Sequence, residues 1–439
     1  MKESNGYDIT GSSAALEHYE RAQHEMRCYV GDPIATADRA IAASPDMVMA
    51  HALKAWTYLL GTEPAGIAHA RRALRSANAL AANERERAHV GALGSLVDGR
   101  WHDAGRVLED LTAAYPLDAL ALQAGHLIDF YTGDARMLRD RIARALPAWS
   151  EGRPGHHAVL GMYAFGLEEM GDYSEAERIG RQSLALEPHD AWAKHAVAHV
   201  MEMQNRMSDG IAWMKSEPER WSRGSSFAIH LWWHLALFHL EAGESDEVLA
   251  LFDGPIYGKR SAVVLDLIDA SALLWRLELA GADVGSRWQT LADNWLPLAT
   301  ASNYAFNDMH AMMAFVGAGR IDAQRVLLDA QRVAVERADD NASFTREVGA
   351  PVTRAIKAFG EGDYALAVQL LRPIRRSAHR FGGSHAQRDV LDLTLIEAAL
   401  RSGNTALARA LTAERVAQKP RSVFAKRLMS RAQDDRASR

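Results

Sequence analysis

The chain has 439 residues, 48% of them hydrophobic and 24% charged, a globular composition rather than a disordered one. With 50 Lys and Arg against 56 Asp and Glu the net charge is −6. There is no global basic field, and nucleic acid is expected not to be a partner. A single cysteine, Cys28, excludes an intrachain disulfide and a zinc cage built from cysteines. The opening MKESNGYDITGSS is polar and lacks an apolar signal core, and no run reaches the roughly 20 apolar residues of a membrane span. A cytoplasmic, reducing setting without membrane partners is expected.

Apolar residues recur at three- and four-residue spacing nearly throughout, and β-branched runs are short, so the chain reads as all helix. Residues 1–40 read as an N-terminal cap. DGRWHDAGRVLEDLTAAYP at 98–116 then carries Gly99, Ala104 and Pro116, and TGDARML carries Gly133. The clearest unit is 157–188, HAVLGMYAFGLEEMGDYSEAERIGRQSLALEP. There a helix is expected to end at Met170, followed by a Gly171-Asp172-Tyr173 turn. A second helix follows, with Ser174 as N-cap and Glu177 at capping-box spacing, and Pro188 stops it. Ala164 and Ala176 stand where two antiparallel helices must approach closely. The same grammar returns at Gly243, at Gly319, at Gly362 with Ala367, and at Gly403 with Ala408 and Pro420. Spans 214–226 and 253–261 are the best loop candidates.

These units resemble tetratricopeptide repeats, whose period is about 34 residues. The expected fold is all-α: an α-solenoid of degenerate tetratricopeptide-like helical hairpins forming a curled superhelix. One continuous array is expected over 1–430, with His/Asp-rich central repeats at 190–320, C-terminal repeats at 345–430 and a polar tail at 431–439.

Histidines punctuate the central repeats. HAVAHVME supplies His195, His199 and Glu202; HLWWHLALFHLE supplies His230 and His234; VLDLIDASALLW supplies Asp266 and Asp269; FNDMH supplies Asn307, Asp308 and His310. Aligned on the Gly turns, all fall on first helices, and residues four apart share a face. Trp192, Trp232, Trp233 and Trp275 stand among them, Trp233 as a candidate wall of a ligand pocket. Neutral imidazoles and carboxylates accept a transition metal such as zinc, serve as general base, or hydrogen-bond a small ligand. HxxxH is only part of the zinc-protease motif, because Ala196 and Leu231 replace its glutamate. The competing reading is structural, with ring nitrogens bonded to neighbouring helices. His156, His157, His189 and His239 carry no functional expectation. Downstream, TREVGAP and FGGSHAQRDVLDL place Arg346, Ser384, Gln387, Arg388 and Asp389 near helix starts. They are either an anion-friendly site or an N-capped helix with an Arg–Asp pair. Arg372, Arg375, Arg376, His379 and Arg380 form a basic patch.

HAVAHVMEM, IHLWWHLALFHLEAGE, LDLIDASALLWRLELAGADVGSRW, FNDMHAMMAFVGA, EVGAPVTRAIKAFGEGDY and LLRPIRRSAHRFGGSHAQRDVLDLTLIEAAL follow one another in order. Together they resemble the tetratricopeptide repeat protein 38 family, in detail from about 190 to 430. The resemblance implies divergent repeats, a cytosolic setting and little about activity. Carried over, the family pattern covers His195, His199, Glu202, His230, His234, Asp269, Asn307, Asp308, His310, Gln387, Arg388 and Asp389. Leu231 and Glu347 depart from the family's usual asparagine and aspartate, and the first departure removes a hydrogen-bonding group. The functional expectation is a binding protein with a His/Asp/Trp-lined concave pocket for a small molecule or peptide. Two alternatives stand beside it. One is an enzyme using the His/Asp/Glu cluster as general base or metal site for hydrolysis or elimination. The other is a plain interaction scaffold.

Overall fold

The computed structural model describes residues 1–434. They form 25 α-helices joined by short turns, with only two isolated bridges, Lys2 with Asp8 and Val30 with Ser225, in extended pairing. The protein is an all-α solenoid of helical hairpins. Among the described residues no helix is long and apolar enough to cross a membrane.

The hairpin turns follow from two residues. Gly99, Gly133, Gly171, Gly243, Gly319, Gly362 and Gly403 all have positive φ, from 66° to 85°, the left-handed geometry that a Cβ disfavours. The residue after the glycine is often the next N-cap. Asp134 accepts the Met137 N–H at 3.0 Å, Asp363 that of Leu366 at 3.0 Å and Asn404 that of Leu407 at 3.3 Å. The expected cap at Ser174 is corrected on this ground. The N-cap of the helix Tyr173–Leu186 is Asp172, two residues earlier. Glu177 pairs with Arg181 instead of closing a capping box.

First and second helices differ in what they bury. Ala305–Gly317 is buried continuously from Ala305 to Phe315, whereas Ile321–Ala334 buries a stripe of Ala323, Gln324, Leu327, Gln331 and Ala334. First helices are therefore the interior of the array, and a polar side chain on one must find a partner there.

The chain divides into two compact units, Met1–Val197 with Pro218–Ala228, and Ala198–Glu217 with Ile229–Arg439. In the first, buried charges close in small local sets. Asp118 accepts from Arg85 at 2.7 Å and from the Ala121 N–H at 2.9 Å, and lies 3.0 Å from His89 Nε2. Arg141 grips Asp129 through two bonds of 2.7 and 2.9 Å. Gly166 permits the close crossing of Ala135–Ala145, since a Cβ there would fall 2.6 Å from Arg139 Cα. In the second unit, Val264–Leu279 packs on Ala305–Gly317 and also on His385–Arg401, several hairpins later. Trp275 Nε1 donates to Thr394 Oγ1 at 3.0 Å, sealing that junction. The helix Val423–Asp434 runs into the expected polar tail at 431–439; the rest of the tail lies outside the described residues.

Candidate functional site

The site belongs to the second unit and grows from three first helices. Ala191–Met203 carries His199 and Glu202 in its second half, Ala228–Ala242 carries His230 and His234, and Val264–Leu279 carries Asp269 and Arg276. Ligand nitrogens of His199, His230 and His234 lie within 4.8 Å of one another. The His199 and His234 rings are 4.6 Å apart between centroids, and those of His230 and His234 are 4.9 Å apart at right angles.

Carboxylates orient two of the three rings. His230 Nδ1 lies 2.9 and 3.0 Å from the two Asp269 oxygens, and His234 Nδ1 lies 3.2 Å from Glu202 Oε2. A carboxylate accepts, so Nδ1 carries the proton and Nε2 presents the lone pair. Burial, then His199, His230 and Arg276, hold His234 well below the ordinary imidazole value, which keeps the ring neutral. Burial raises the Glu202 carboxyl, with Lys419 and His199 pulling it the other way. His199 and His234 are fully enclosed, whereas the His230 side chain keeps 13% of its exposure. Trp233 stacks on His230 at 5.3 Å and is itself fully buried, so it braces the ring and does not form an open wall.

Behind the imidazoles runs a network of charges, of which only Glu202 and Asp389 were singled out in sequence. Glu241 accepts from Arg415 at 2.7 Å, from Lys419 at 3.1 Å and from the Ser422 hydroxyl. Arg415 also holds Asp389 through two bonds of 2.8 and 3.1 Å, and Lys419 reaches Glu202 at 3.9 Å. Burial works against each of these charges. Arg415 and Lys419 nevertheless hold Asp389 and Glu241 below the usual carboxylate range, and are themselves held above their ordinary values. Arg276 donates to the carbonyls of Ala386 at 2.7 Å and Gln387 at 3.2 Å, with its guanidinium over the Trp233 ring. The signal available in sequence was a charge inside an apolar first helix: Arg276 in SALLWRLEL and Glu241 in LALFHLEAG. Such a residue is almost never buried unless paired.

The remaining expected residues are placed as follows. His195 stands one turn before His199 on the same helix. In the first unit its ring lies 5.0 Å from Trp192 and 5.2 Å from both Phe165 and Phe227. Asp308 is taken up by Ser302 at 2.7 Å and Gln331 at 3.1 Å, and burial raises its carboxyl to about 6. His310 Nδ1 bonds the Phe306 carbonyl at 2.8 Å, and burial lowers the ring to about 3. Asp308 and His310 Nδ1 are thus each bonded within their own hairpin. Asn307 is buried beside them. Gln387 closes a capping box with Ser384, Arg388 donates to the Gly383 carbonyl, and Asp389 pairs with Arg415. These three build a helix start and an ion pair. Asp266 bonds Ser261 at 2.6 Å. In the basic patch Arg375 pairs with Asp392 and Glu414, and Arg380 with Glu347.

No family model matches the chain. Solved structures similar to it include the human IFIT1 dimer with m7Gppp-AAAA, at 13% identity and TM-score 0.43, covering 98% of this chain and 96% of that one. The APC/C hetero-tetramer Cut9–Hcn1 is similar at 13% identity and TM-score 0.40, covering 95% of this chain and 76% of that one. The expectation that nucleic acid is no partner is corrected here, since the IFIT1 structures contain capped RNA. The physical reason is that net charge is a sum over a whole chain, whereas recognition depends on the field inside one groove.

Proposed function

We propose that the protein is a tetratricopeptide-type binding protein whose second unit takes a divalent transition-metal cation on His199, His230 and His234, with a small polar ligand completing the coordination. One observation carries this reading: three imidazoles from two helices converge within 4.8 Å, and two of them have Nδ1 engaged by a carboxylate. That is the outer arrangement that fixes tautomer and ring orientation in metal sites. Bonds of roughly 2.0–2.1 Å to a tetrahedral zinc bring its nitrogens to about 3.3 Å apart, a side-chain adjustment from the present spacing. Imidazole donors select zinc, copper, nickel or iron over magnesium and calcium. An extended peptide fits less well than a small ligand, because His199, His234 and Trp233 are fully enclosed.

Calorimetric titration of chelator-treated protein with Zn²⁺ tests the reading. We expect a binding event whose affinity falls at least about 100-fold in His230→Ala. No binding at millimolar Zn²⁺, or an affinity that His230→Ala leaves unchanged, would overturn it. A second reading, general-base catalysis, has its own support in the His230–Asp269 pair, a carboxylate-backed imidazole at the one partly exposed position. Membership of the tetratricopeptide repeat protein 38 family, one continuous array over 1–430 and a cytoplasmic setting are parts of the same proposal. They are supported by the ordered sequence stretches and the single cysteine.

A further inference from the structure

A second group of donors lies in the first unit, away from anything used above. The helix Ser13–Cys28 ends with His24 and Cys28, one turn apart on a single face. His157 comes from the first turn of His156–Glu169. The Cys28 sulfur and a nitrogen from each imidazole lie within 4.8 Å of one another, with His24 Nδ1 3.9 Å from Sγ. His157 is oriented from behind: its Nδ1 lies 2.7 Å from Asp190 Oδ2. Asp190 is in turn fixed by the Ala193 N–H at 2.9 Å and the Ser183 hydroxyl at 3.2 Å. Nε2 is thus the His157 nitrogen turned away from Asp190. Cys28 is fully buried, while His24 and His157 line a surface groove together with Arg27, Arg153, His156 and Glu187. One side of the cluster is closed protein and the other is open to small molecules.

We propose that Cys28, His24 and His157 form a zinc site with its fourth position open to this groove, and with Asp190 as the positioning residue behind His157. One sulfur and two nitrogens are a donor set that favours zinc over hard cations, and three protein ligands with an open position are the pattern of sites that bind an exchangeable fourth ligand. The chemistry balances simply. The Cys28 thiol gives its proton to solvent as the S–Zn bond forms, and nothing is oxidised or reduced. With no second cysteine in the chain, intrachain disulfide formation does not compete.

The test uses Co²⁺ as the probe on the full, chelator-treated chain. Thiolate coordination gives a sulfur-to-cobalt charge-transfer band. Cys28 is the only cysteine, so that band reports this cluster alone and is silent about the imidazole group of the second unit. We expect a band whose full amplitude corresponds to one cobalt–thiolate bond per chain, with one proton released per bond formed. It should vanish in Cys28→Ser. His24→Gln, at an exposed position that leaves folding intact, should weaken binding at least about tenfold, and Asp190→Asn about 10- to 100-fold. Zn²⁺ should displace Co²⁺ and erase the band. Absence of the band at millimolar Co²⁺, or a band of unchanged affinity in His24→Gln, would overturn the proposal.

Discussion

The two units distribute their buried polar groups differently. In the first, buried charges form separate small groups: Glu3, Arg85, Asp118 and His89 in one, Asp129 with Arg141 in another. His126 is packed against rings, 5.9 Å from Phe165 and 5.6 Å from Trp192, and burial lowers it to about 3 while the Leu138 backbone pulls the other way. In the second unit, imidazoles, carboxylates and cations join into one connected network from His230 to Arg415. The same residue type on the same kind of helix therefore has two fates. Against aromatic faces a histidine is a neutral core residue. With a carboxylate on Nδ1 it becomes an oriented donor.

The comparison can be broken most directly at Glu241. Glu241→Ala leaves Arg415 and Lys419 buried without their shared acceptor and should cost about 3–5 kcal/mol in denaturant unfolding. Asp129→Ala in the first unit should cost a similar amount but leave Zn²⁺ affinity in the second unit unchanged. If Glu241→Ala costs less than about 1 kcal/mol, the network is not a connected unit. Next in size is Asp269→Asn, which should lower Zn²⁺ affinity 10- to 100-fold with little change in thermal stability. Asp308 sharpens the comparison by pH. Its folded value of about 6 exceeds the ordinary carboxyl value, so the folded state binds this proton more tightly. That stability is present below the unfolded pKa and is lost as pH rises from about 4 to 6. Asp308→Asn should remove this slope, on the order of 1–3 kcal/mol, and be most favourable relative to wild type above pH 6. The smallest effect belongs to His126→Phe, expected within about 1.5 kcal/mol at neutral pH. His126 is neutral in the fold but protonates when unfolded, so it costs stability as pH falls from about 6.5 to 3. The variant should therefore lose less stability on acidification.

The hairpin grammar was legible because it is local. A glycine at positive φ and an Asx cap after it are both written within four residues, and all seven turn glycines adopt the expected conformation. His199, His230, His234, Glu202 and Asp269 were legible as a group because alignment on those turns puts them on consecutive first helices. Asp308 and His310 were assigned to the same group by register alone. Their capture by Ser302, Gln331 and the Phe306 carbonyl depends on loop geometry that spacing does not encode. Arg415 and Lys419 were invisible because their partner Glu241 lies 174 and 178 residues away. The Cys28 cluster was missed for a similar reason. His157 lies far along the chain from His24, and a cysteine beside a distant imidazole leaves no periodic trace.

That long separation between Glu241 and its bases has a bearing on biosynthesis. As the chain leaves the ribosome, Glu241 emerges well before Arg415 and Lys419 exist to neutralise it, so the central hairpins are made with an acid they cannot yet bury. The interior around His234 and Glu202 can settle only when the closing hairpin arrives. A chain that has not yet added Arg415 and Lys419 is therefore expected to leave that interior open to solvent.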